Sequence, residues 1–141
     1  MKQIIDNFSK EYAFLSNFYP SEVEFDGVIY PTVEHAFQAA KTLNPTEREM
    51  VLLAKTPGQA KRVGRTVTLI DDWDDIKFSV MYDLVRQKFN NIVELKNKLI
   101  ATGTEILVEG NTWGDTYWGI CRGIGENKLG EILMRVRIKL K

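Results

Sequence analysis

The sequence predicts an α+β domain that is mainly α-helical, with a short N-terminal β-hairpin and a small sheet. Two β-prone runs flank an Asp-Gly pair at residues 26–27, and most of the chain after residue 31 has apolar residues at helical spacing. No repeat, low-complexity tract or linker-like composition interrupts the 141 residues. A chain of this length fits one domain, so residues 1–141 are expected to form a single folded unit.

The first elements are defined by turn and capping residues. An aromatic-rich stretch at residues 8–20 has no regular periodicity and is expected to be irregular. The hairpin follows at residues 23–31, because Asp26 and Gly27 readily adopt the positive φ angles of a tight two-residue turn. Pro31 ends the second strand, and the Thr32 hydroxyl can cap a helix that continues to about Lys41.

Capping signals and apolar spacing predict the remaining helices. Residues 46–49, Thr-Glu-Arg-Glu, have the pattern of a capping box that begins a helix ending near Lys55. Further helices are expected at residues 57–65, 72–89, 92–101 and 127–139, and a short strand at residues 105–109. Between this strand and the last helix lies a loop with glycines at positions 114, 119, 123 and 125.

Composition and charge argue against several classes of function. Nineteen basic residues balance nineteen acidic ones, so the chain lacks the basic excess of a general nucleic-acid binder. Short apolar runs and a polar N-terminus predict no membrane segment and a cytoplasmic location. A single histidine and a single cysteine, Cys121, argue against a zinc site, an internal disulfide and thiol catalysis.

The helix at residues 31–41 carries the first candidate site. Glu34, Gln38 and Lys41 are spaced by four and seven residues, which brings them to one helical stripe. Small and apolar neighbours favour partial burial, and desolvation would lower the pKa of the lysine, so that the pair could act as general base and nucleophilic amine. A solvated stripe with ordinary helix pairing has the same spacing, and on geometry alone that interpretation is favoured.

The glycine-rich loop, residues 111–130, is the second candidate site. It places Asp115 beside Trp113, Tyr117, Trp118 and Gly119, a composition suited to stacking on a ring and approaching a ligand with bare backbone. The N–H groups of residues 125–127 at a helix start could bind an anion such as a diphosphate. The alternative, in which the aromatic side chains only fill the core, is equally open.

Weaker signals come from three other places. Lys61, Arg62 and Arg65 could bind phosphate, although a solvated basic face is the favoured interpretation. Trp73 fits a core position and a stacking wall equally well. His35 points about 100° away from its neighbour in a helix, so a structural hydrogen bond is the expected role of its ring.

Taken together, these residues resemble the NADAR family, the NAD- and ADP-ribose-associated domains that are also called YbiA-like. The likeness runs almost end to end, and its many motifs in one order make it specific. The motifs are residues 14–18, 30–41, 60–65, 73, 88–89, 99–103, 107–109, 115–119 and 123–130. The resemblance implies a compact, mainly α fold and an enzyme that cleaves an N-glycosidic bond.

The resemblance also implies roles for single positions. Glu34 corresponds to a catalytic carboxylate and Lys41 to a lysine that can hold the opened ribose as an imine. Asp115 corresponds to a third catalytic residue, which orients the ribose or protonates the departing base. The implied substrate-binding residues are Asn17, Gln38, Arg65, Trp73, Tyr117, Trp118, Gly119 and Asn127. None of these roles requires a metal or another cofactor.

Three functions remain open within the resemblance. The favoured one is cleavage of ADP-ribosylated guanine, in a nucleotide or a nucleic-acid segment, with possible functional pairing to an ADP-ribosyltransferase. The second is hydrolysis of the phosphoribosylamino-pyrimidine intermediates of riboflavin synthesis. The third is a sensor that binds ADP-ribose or NAD without turning it over. The balanced net charge favours a small or short substrate over a long duplex.

Overall fold

A computed structural model describes residues 3–140, which divide into two compact units. The first unit consists of Asn17–Lys88, and the second combines residues 3–16 with residues 89–140. The elements in chain order are β1 (Ile4–Ile5), a 3-10 helix (Lys10–Leu15), β2 (Val23–Phe25), β3 (Val28–Tyr30), α1 (Val33–Ala39), α2 (Pro45–Leu52), α3 (Pro57–Gly64), α4 (Trp73–Asn91), α5 (Val93–Ala101), β4 (Ile106–Leu107), β5 (Gly110–Asn111), β6 (Ile120–Cys121) and α6 (Lys128–Leu140).

Helices dominate both units, and the strands are short, which confirms the predicted α+β class with its mainly helical character. The prediction that residues 1–141 form a single domain stays a prediction, because the described residues form two units. Within residues 3–140, no helix is both long and apolar enough to cross a bilayer.

The predicted N-terminal hairpin is confirmed. β2 and β3 pair antiparallel, with Val23 opposite Tyr30 and Phe25 opposite Val28. Asp26 and Gly27 between them have φ angles of 50° and 81°, as a tight two-residue turn requires. The hairpin leads directly into α1 and contributes the buried side chains of Val23 and Tyr30 to the first unit.

α1 is the central helix of the first unit, and all seven of its side chains are buried. Thr32 caps it as predicted, because its hydroxyl oxygen accepts the N–H of His35 at 3.0 Å. The helix is shorter than expected and ends at Ala39. Beyond it the chain turns towards Pro45, and the residue before this proline, Asn44, is extended, as proline requires.

The cap of α2 differs from the prediction. The expected capping box at residues 46–49 is wrong, since the side-chain oxygen of Asn44 caps the helix by accepting the N–H groups of Thr46 and Glu47. Pro45 occupies the first helical position, where its missing N–H is harmless. The Glu47 carboxylate instead accepts hydrogen bonds from Thr42 and Thr68.

The second unit combines two small parallel strand pairs with α5 and α6. β1 pairs with β4, and β5 pairs with β6. Of the strand expected at residues 105–109, only Ile106–Leu107 is extended and paired. The apolar face of α6 is buried as expected, and Gly130 lets that helix approach so closely that a Cβ at this position would overlap the Leu107 carbonyl oxygen. β5, β6 and the 3-10 helix lie where a loop or irregular chain was expected, and β1 was not predicted.

Candidate active site

The predicted stripe on α1 contains a buried carboxylate–amide pair. Glu34 is 7% exposed and Gln38, one turn later, is 3% exposed. The side-chain Nε2 of Gln38 donates to Oε2 of Glu34 at 2.5 Å. In this contact the carboxyl oxygen of Glu34 is the acceptor, and the hydrogen bond orients the side chain. The solvated interpretation of the stripe is therefore wrong for these two residues.

Gly64 of α3 lies against the side-chain amide of Gln38. A Cβ built on Gly64 would overlap Oε1 and the amide carbon of Gln38, so a larger residue at position 64 would force the end of the Gln38 side chain to shift. The Oε1 atom is buried and has no hydrogen-bond partner among the described residues. The orientation of the Gln38 side chain is thus fixed by one hydrogen bond and by steric contact.

Lys41 lies just beyond the end of α1 and is half-buried. Its backbone N–H donates to the Gln38 carbonyl, its own carbonyl accepts the N–H of Ile70, and its Nζ lies 5.9 Å from the centroid of the Phe37 ring. Burial lowers the pKa of the Lys41 ammonium, while the charge of Glu34 acts in the opposite direction. The chain thus places a partly desolvated amine within the electrostatic reach of a buried carboxylate.

Three cations add to the burial effect on Lys41. Lys61 and Arg65 come from α3 and its C-terminal cap, and Lys77 comes from α4. Each of their positive charges lowers the pKa of Lys41 further, because like charges disfavour the ammonium form. Arg65, a predicted substrate-binding residue, is exposed.

Trp73 packs in the core against Phe37, over whose ring the Lys41 amine lies. It is the first residue of α4 and is only 6% exposed. Its ring lies 5.0 Å from the ring of Phe37, centroid to centroid, at an interplanar angle of 55°. Because Lys41 lies over the other ring of this pair, the predicted residues Lys41 and Trp73 are linked through Phe37.

Asn17 adjoins the start of α1. Its backbone carbonyl accepts the N–H of Glu34 at 3.2 Å, and its side-chain amide contacts the sulfur of Met81 at 3.4 Å. The first unit therefore brings together six of the predicted site residues. They are Asn17, Glu34, Gln38, Lys41, Arg65 and Trp73.

His35 has the structural hydrogen bonds that its position led us to expect. Its Nε2 lies 3.0 Å from the carbonyl oxygen of Ala54, and its Nδ1 lies 2.8 Å from the hydroxyl of Thr32. A carbonyl can only accept, so Nε2 carries the proton and Nδ1 accepts from the hydroxyl. This buried ring joins α1 to the end of α2 and faces away from Glu34.

The remaining predicted site residues belong to the second unit. Oδ1 of Asp115 accepts the backbone N–H groups of Tyr117 and Trp118, at 3.1 and 2.9 Å. The side chain of Asn111 exchanges two hydrogen bonds with the backbone of Asp115. The rings of Tyr117 and Trp118 contact each other edge to face, 4.7 Å apart. Asp115 therefore shapes its own loop, and its catalytic role stays a prediction.

Asn127 and Gly119 also have defined contacts in this unit. The Asn127 side chain donates to the Leu107 carbonyl and accepts the N–H of Glu109. A Cβ at Gly119 would overlap the Glu109 carbonyl. The backbone N–H groups of residues 126–129 donate to carbonyls of residues 116–119, which corrects the expectation that the N–H groups at this helix start are open to an anion.

Three residues that contribute to the geometry of this site were not singled out from the sequence. Phe37 lies between Lys41 and Trp73, and Gly64 lies against the side-chain amide of Gln38. The positive charge of Lys77 contributes to lowering the pKa of Lys41. The spacing of four between Trp73 and Lys77 was a usable signal, because it puts both on one face of a helix. Lys88 is buried in α4 and was noted only as part of a motif.

No group of three or more histidine, cysteine, aspartate or glutamate side chains within residues 3–140 is arranged to hold a metal ion.

The described structure thus defines a mainly helical protein with a buried carboxylate–amide pair next to a partly desolvated lysine. Residues 5–141 match the family model of the NADAR domain. The N-glycosidase YbiA of Escherichia coli (strain K12) is 39% identical over 146 residues, which cover 99% of this chain and 91% of that protein. The chain therefore belongs to the NADAR domain family.

Other relatives agree with this assignment. The NMR structure of the E. coli protein YbiA matches with a TM-score of 0.87, covering 99% of this chain and 86% of that one. An N-glycosidase of Nostoc punctiforme is 35% identical, over 92% of this chain and 86% of its own length. A riboflavin biosynthesis protein of Vibrio vulnificus is 38% identical, over 94% of this chain and 36% of its own length. Proteins named as N-glycosidases thus occur among these relatives.

Proposed function

We propose that this protein is an N-glycosidase that hydrolyses the bond between a ribose and a base, with ADP-ribosylated guanine as its substrate. The observation that carries the proposal is the arrangement along α1. Glu34 is buried, accepts a hydrogen bond from Gln38, and lies within electrostatic reach of a lysine whose pKa is lowered by burial. A buried carboxylate next to an amine whose ammonium form is disfavoured by burial is suited to nucleophilic catalysis at a sugar carbon.

The chemistry follows from the two side chains. The amine of Lys41 attacks C1 of the ribose, a C1–Nζ bond forms, and the bond from C1 to the base breaks. Glu34 accepts the proton that the amine loses and passes it to the departing base. The ribose ring then opens to give an imine, and water hydrolyses the imine to release the sugar aldehyde and restore Lys41.

The surroundings of Lys41 support a substrate that carries phosphate. Lys61, Arg65 and Lys77 supply positive charge next to the amine, and a phosphate group pairs well with lysine and arginine. Trp73 and Phe37 form a buried aromatic pair that makes the surroundings of the Lys41 amine apolar. The chain has no net charge, so the attraction of phosphate is confined to these cations. A local attraction favours a small nucleotide or a short nucleic-acid segment.

A second candidate substrate is a phosphoribosylamino-pyrimidine. The observation that favours it is the 38% identity to a Vibrio vulnificus protein named for riboflavin biosynthesis. The same residues can serve this substrate, because it also has an N-glycosidic bond and a phosphate. The two candidates differ in the base and in the length of the phosphate-bearing group.

The test is a pair of parallel assays. The protein is incubated with an oligonucleotide carrying ADP-ribosylated guanosine and, separately, with the phosphoribosylamino-pyrimidine, and the released base is measured by chromatography. Release from the oligonucleotide alone supports the proposal, and release from the pyrimidine alone supports the second candidate. Binding of ADP-ribose with release from neither would contradict both and favour a sensor.

Two substitutions test the roles within the site. Glu34→Gln should abolish turnover while ligand affinity and the unfolding temperature stay near those of the wild type. The exposed Glu49→Gln change on α2 is the matched control and should leave turnover unchanged. If Glu34→Gln unfolds the protein, Glu34 is structural and the proposal is wrong.

The covalent step has its own test. Borohydride added during turnover should reduce the imine to a stable sugar adduct, and peptide mass spectrometry should locate it on Lys41. Lys41→Arg should give no adduct, because the guanidinium group stays protonated. The exposed Lys55→Arg change is the control, and adduct formation should persist in it. Turnover without any adduct would argue against the imine.

A further inference from the structure

Lys41 lies in an irregular segment that begins where α1 ends, so the hydrogen bonds that hold its carbonyl come from outside that helix. The Lys41 carbonyl accepts the N–H of Ile70 at 2.8 Å, and the next carbonyl, that of Thr42, accepts Nε–H of Arg48 at 2.7 Å. Residues 68–70 belong to no helix or strand themselves. The backbone position of Lys41 therefore depends on what holds a second irregular segment.

A single carboxylate connects these two irregular segments. Oε1 of Glu47 accepts the hydroxyl of Thr42 at 2.5 Å and the backbone N–H of Thr68 at 3.0 Å. Its Oε2 accepts the same N–H at 3.1 Å and the Thr68 hydroxyl at 3.2 Å. We call Thr42, Glu47 and Thr68 the carboxylate bridge. It connects the residue directly after Lys41 to the segment whose Ile70 N–H holds the Lys41 carbonyl.

The capping of α2 does not explain the carboxylate bridge. Glu47 is the third residue of α2, where a glutamate commonly accepts the backbone N–H of the N-cap residue. Here the N–H of that residue, Asn44, donates to the Thr42 hydroxyl oxygen at 3.1 Å, and the Asn44 side chain caps the helix. Both oxygens of Glu47 therefore serve segments outside its own helix. The hydrogen bonds from Thr42 and Thr68 lower the pKa of Glu47, so the carboxylate is ionised at neutral pH.

We propose that Glu47 is a positioning residue, whose carboxylate fixes residues 68–70 against the end of α1 and thereby holds Lys41 where its amine can attack the sugar. Glu47 acts through Thr42 and residues 68–70, and not on the reacting atoms. Correct placement matters because a shift of about 1 Å in a reacting group can cost about a hundredfold in rate. The proposal rests on the proposed function for the use of Lys41 as nucleophile, but not for the hydrogen bonds that fix its backbone.

Three substitutions weaken the carboxylate bridge by different amounts. Glu47→Ala removes both acceptor oxygens, Glu47→Gln leaves one of them, and Thr68→Val removes only the hydroxyl contact. The expected effects therefore decrease in that order. Thr68 is exposed, so its substitution leaves the packing intact and provides a test even if Glu47→Ala unfolds the protein. The matched control is Glu49→Ala, at an exposed position of the same helix.

The first measurement needs no substrate. Amide hydrogen exchange, followed by NMR, reports on the Ile70 N–H, which its hydrogen bond to the Lys41 carbonyl protects. In Glu47→Ala, exchange at Thr68 and Ile70 should be about tenfold faster or more, while amides of α6 should exchange as in the wild type. Glu49→Ala should change neither. Unchanged exchange at Ile70 in a folded Glu47→Ala protein would overturn the inference, and so would an equal rise in α6, which would show only a loss of overall stability.

The second measurement connects the carboxylate bridge to catalysis. At a temperature where each variant is folded, Glu47→Ala should lower kcat and the rate of borohydride trapping on Lys41 about tenfold or more, with KM near that of the wild type. Glu47→Gln should restore part of this loss. Adding Thr42→Val to Glu47→Ala should cause little further loss, because both changes break the same bridge. Losses that multiply in the double variant would contradict a shared role.

Failure of this inference and failure of the proposed function give different results. If a ribosylated base is cleaved and kcat is unchanged in a Glu47→Ala protein whose Ile70 exchange has risen, the positioning role is wrong and the proposed function stands. If no ribosylated base is cleaved by the wild type, the proposed function fails. The exchange series then decides by itself whether Glu47 holds residues 68–70 against Lys41.

Discussion

The side-chain amide of Gln38 donates a hydrogen bond to the carboxylate of Glu34, and both groups are buried on the same face of α1. The amide oxygen and carbon of Gln38 lie against Gly64 of α3, where a Cβ would overlap them. The orientation of the buried carboxylate therefore depends on a glycine in a different helix. This dependence makes the site sensitive to a substitution that touches neither Glu34 nor Lys41.

Gly64→Ala should impair turnover by displacing Gln38. The added methyl group would overlap Oε1 and the amide carbon, so the side chain must shift and lose its hydrogen bond to Glu34. Overpacking of this kind costs about 1–3 kcal/mol of stability. Urea unfolding and steady-state kinetics check both effects. The control is Gly58→Ala in the same helix, where the nearest atom, Oγ1 of Thr56, is 3.8 Å away. Equal activity in both variants would contradict this account.

Gln38→Glu should shift the pH dependence of turnover upwards. Two carboxyl groups within hydrogen-bond distance share a proton, which raises the apparent pKa of the pair and removes the base at neutral pH. Activity should be low near neutral pH and recover at higher pH, whereas Gln38→Leu should be impaired at every pH. A kcat profile over the accessible pH range distinguishes the two variants, and superimposable profiles would show that Gln38 does not act through Glu34.

Lys88→Met should favour folding more at low pH than at high pH. Lys88 is 1% exposed, its Nζ lies 5.7 Å from the centroid of the Tyr19 ring, and burial lowers its pKa from 10.5 to about 7. The unfolded chain binds this proton more tightly, so the wild type gains stability as pH rises from about 7 towards 10.5 and bears the full penalty below 7.

Urea unfolding of both proteins at several pH values checks this prediction. Relative to the wild type, the free energy of unfolding of the variant should fall by about 2 kcal/mol between neutral pH and about pH 9. Taking the difference between two proteins cancels the contribution of every other titrating group. Lys55→Met, an exposed substitution, should show no such trend. A constant difference between the Lys88→Met protein and the wild type would mean that Lys88 is neutral at all these pH values or has a fully compensating partner.

Much of the fold could be predicted because its signals are local. The Asp26-Gly27 turn, the Thr32 cap and the apolar face of α6 each depend on a few adjacent residues, and all three are present as expected. Errors arose where two local signals competed, as at α2, where Asn44 before a proline caps the helix in place of Thr46. The two-residue strands β5 and β6 were missed because a pair of residues has no detectable period.

The candidate site could be predicted only in part for a related reason. Spacing along one helix placed Glu34, Gln38 and Lys41 together, because that relation lies within eight residues of sequence. The contacts that come from other helices are different, since Gly64 and Lys77 are brought to α1 by tertiary packing. A glycine inside a helix and a lysine one turn after a tryptophan are signals, but only the fold shows what they face.

Two substitutions at Asp115 can distinguish a structural role of this residue from a catalytic one. Its Oδ1 accepts the backbone N–H groups of Tyr117 and Trp118, and an asparagine at this position keeps a carbonyl oxygen for both. Asp115→Asn should therefore keep the loop and the unfolding temperature, whereas Asp115→Ala should lose about 1–2 kcal/mol with the two hydrogen bonds. If the carboxylate orients the ribose or protonates the base, Asp115→Asn should also lower kcat more than tenfold. A fully active Asp115→Asn beside a destabilised Asp115→Ala would restrict this residue to shaping the loop.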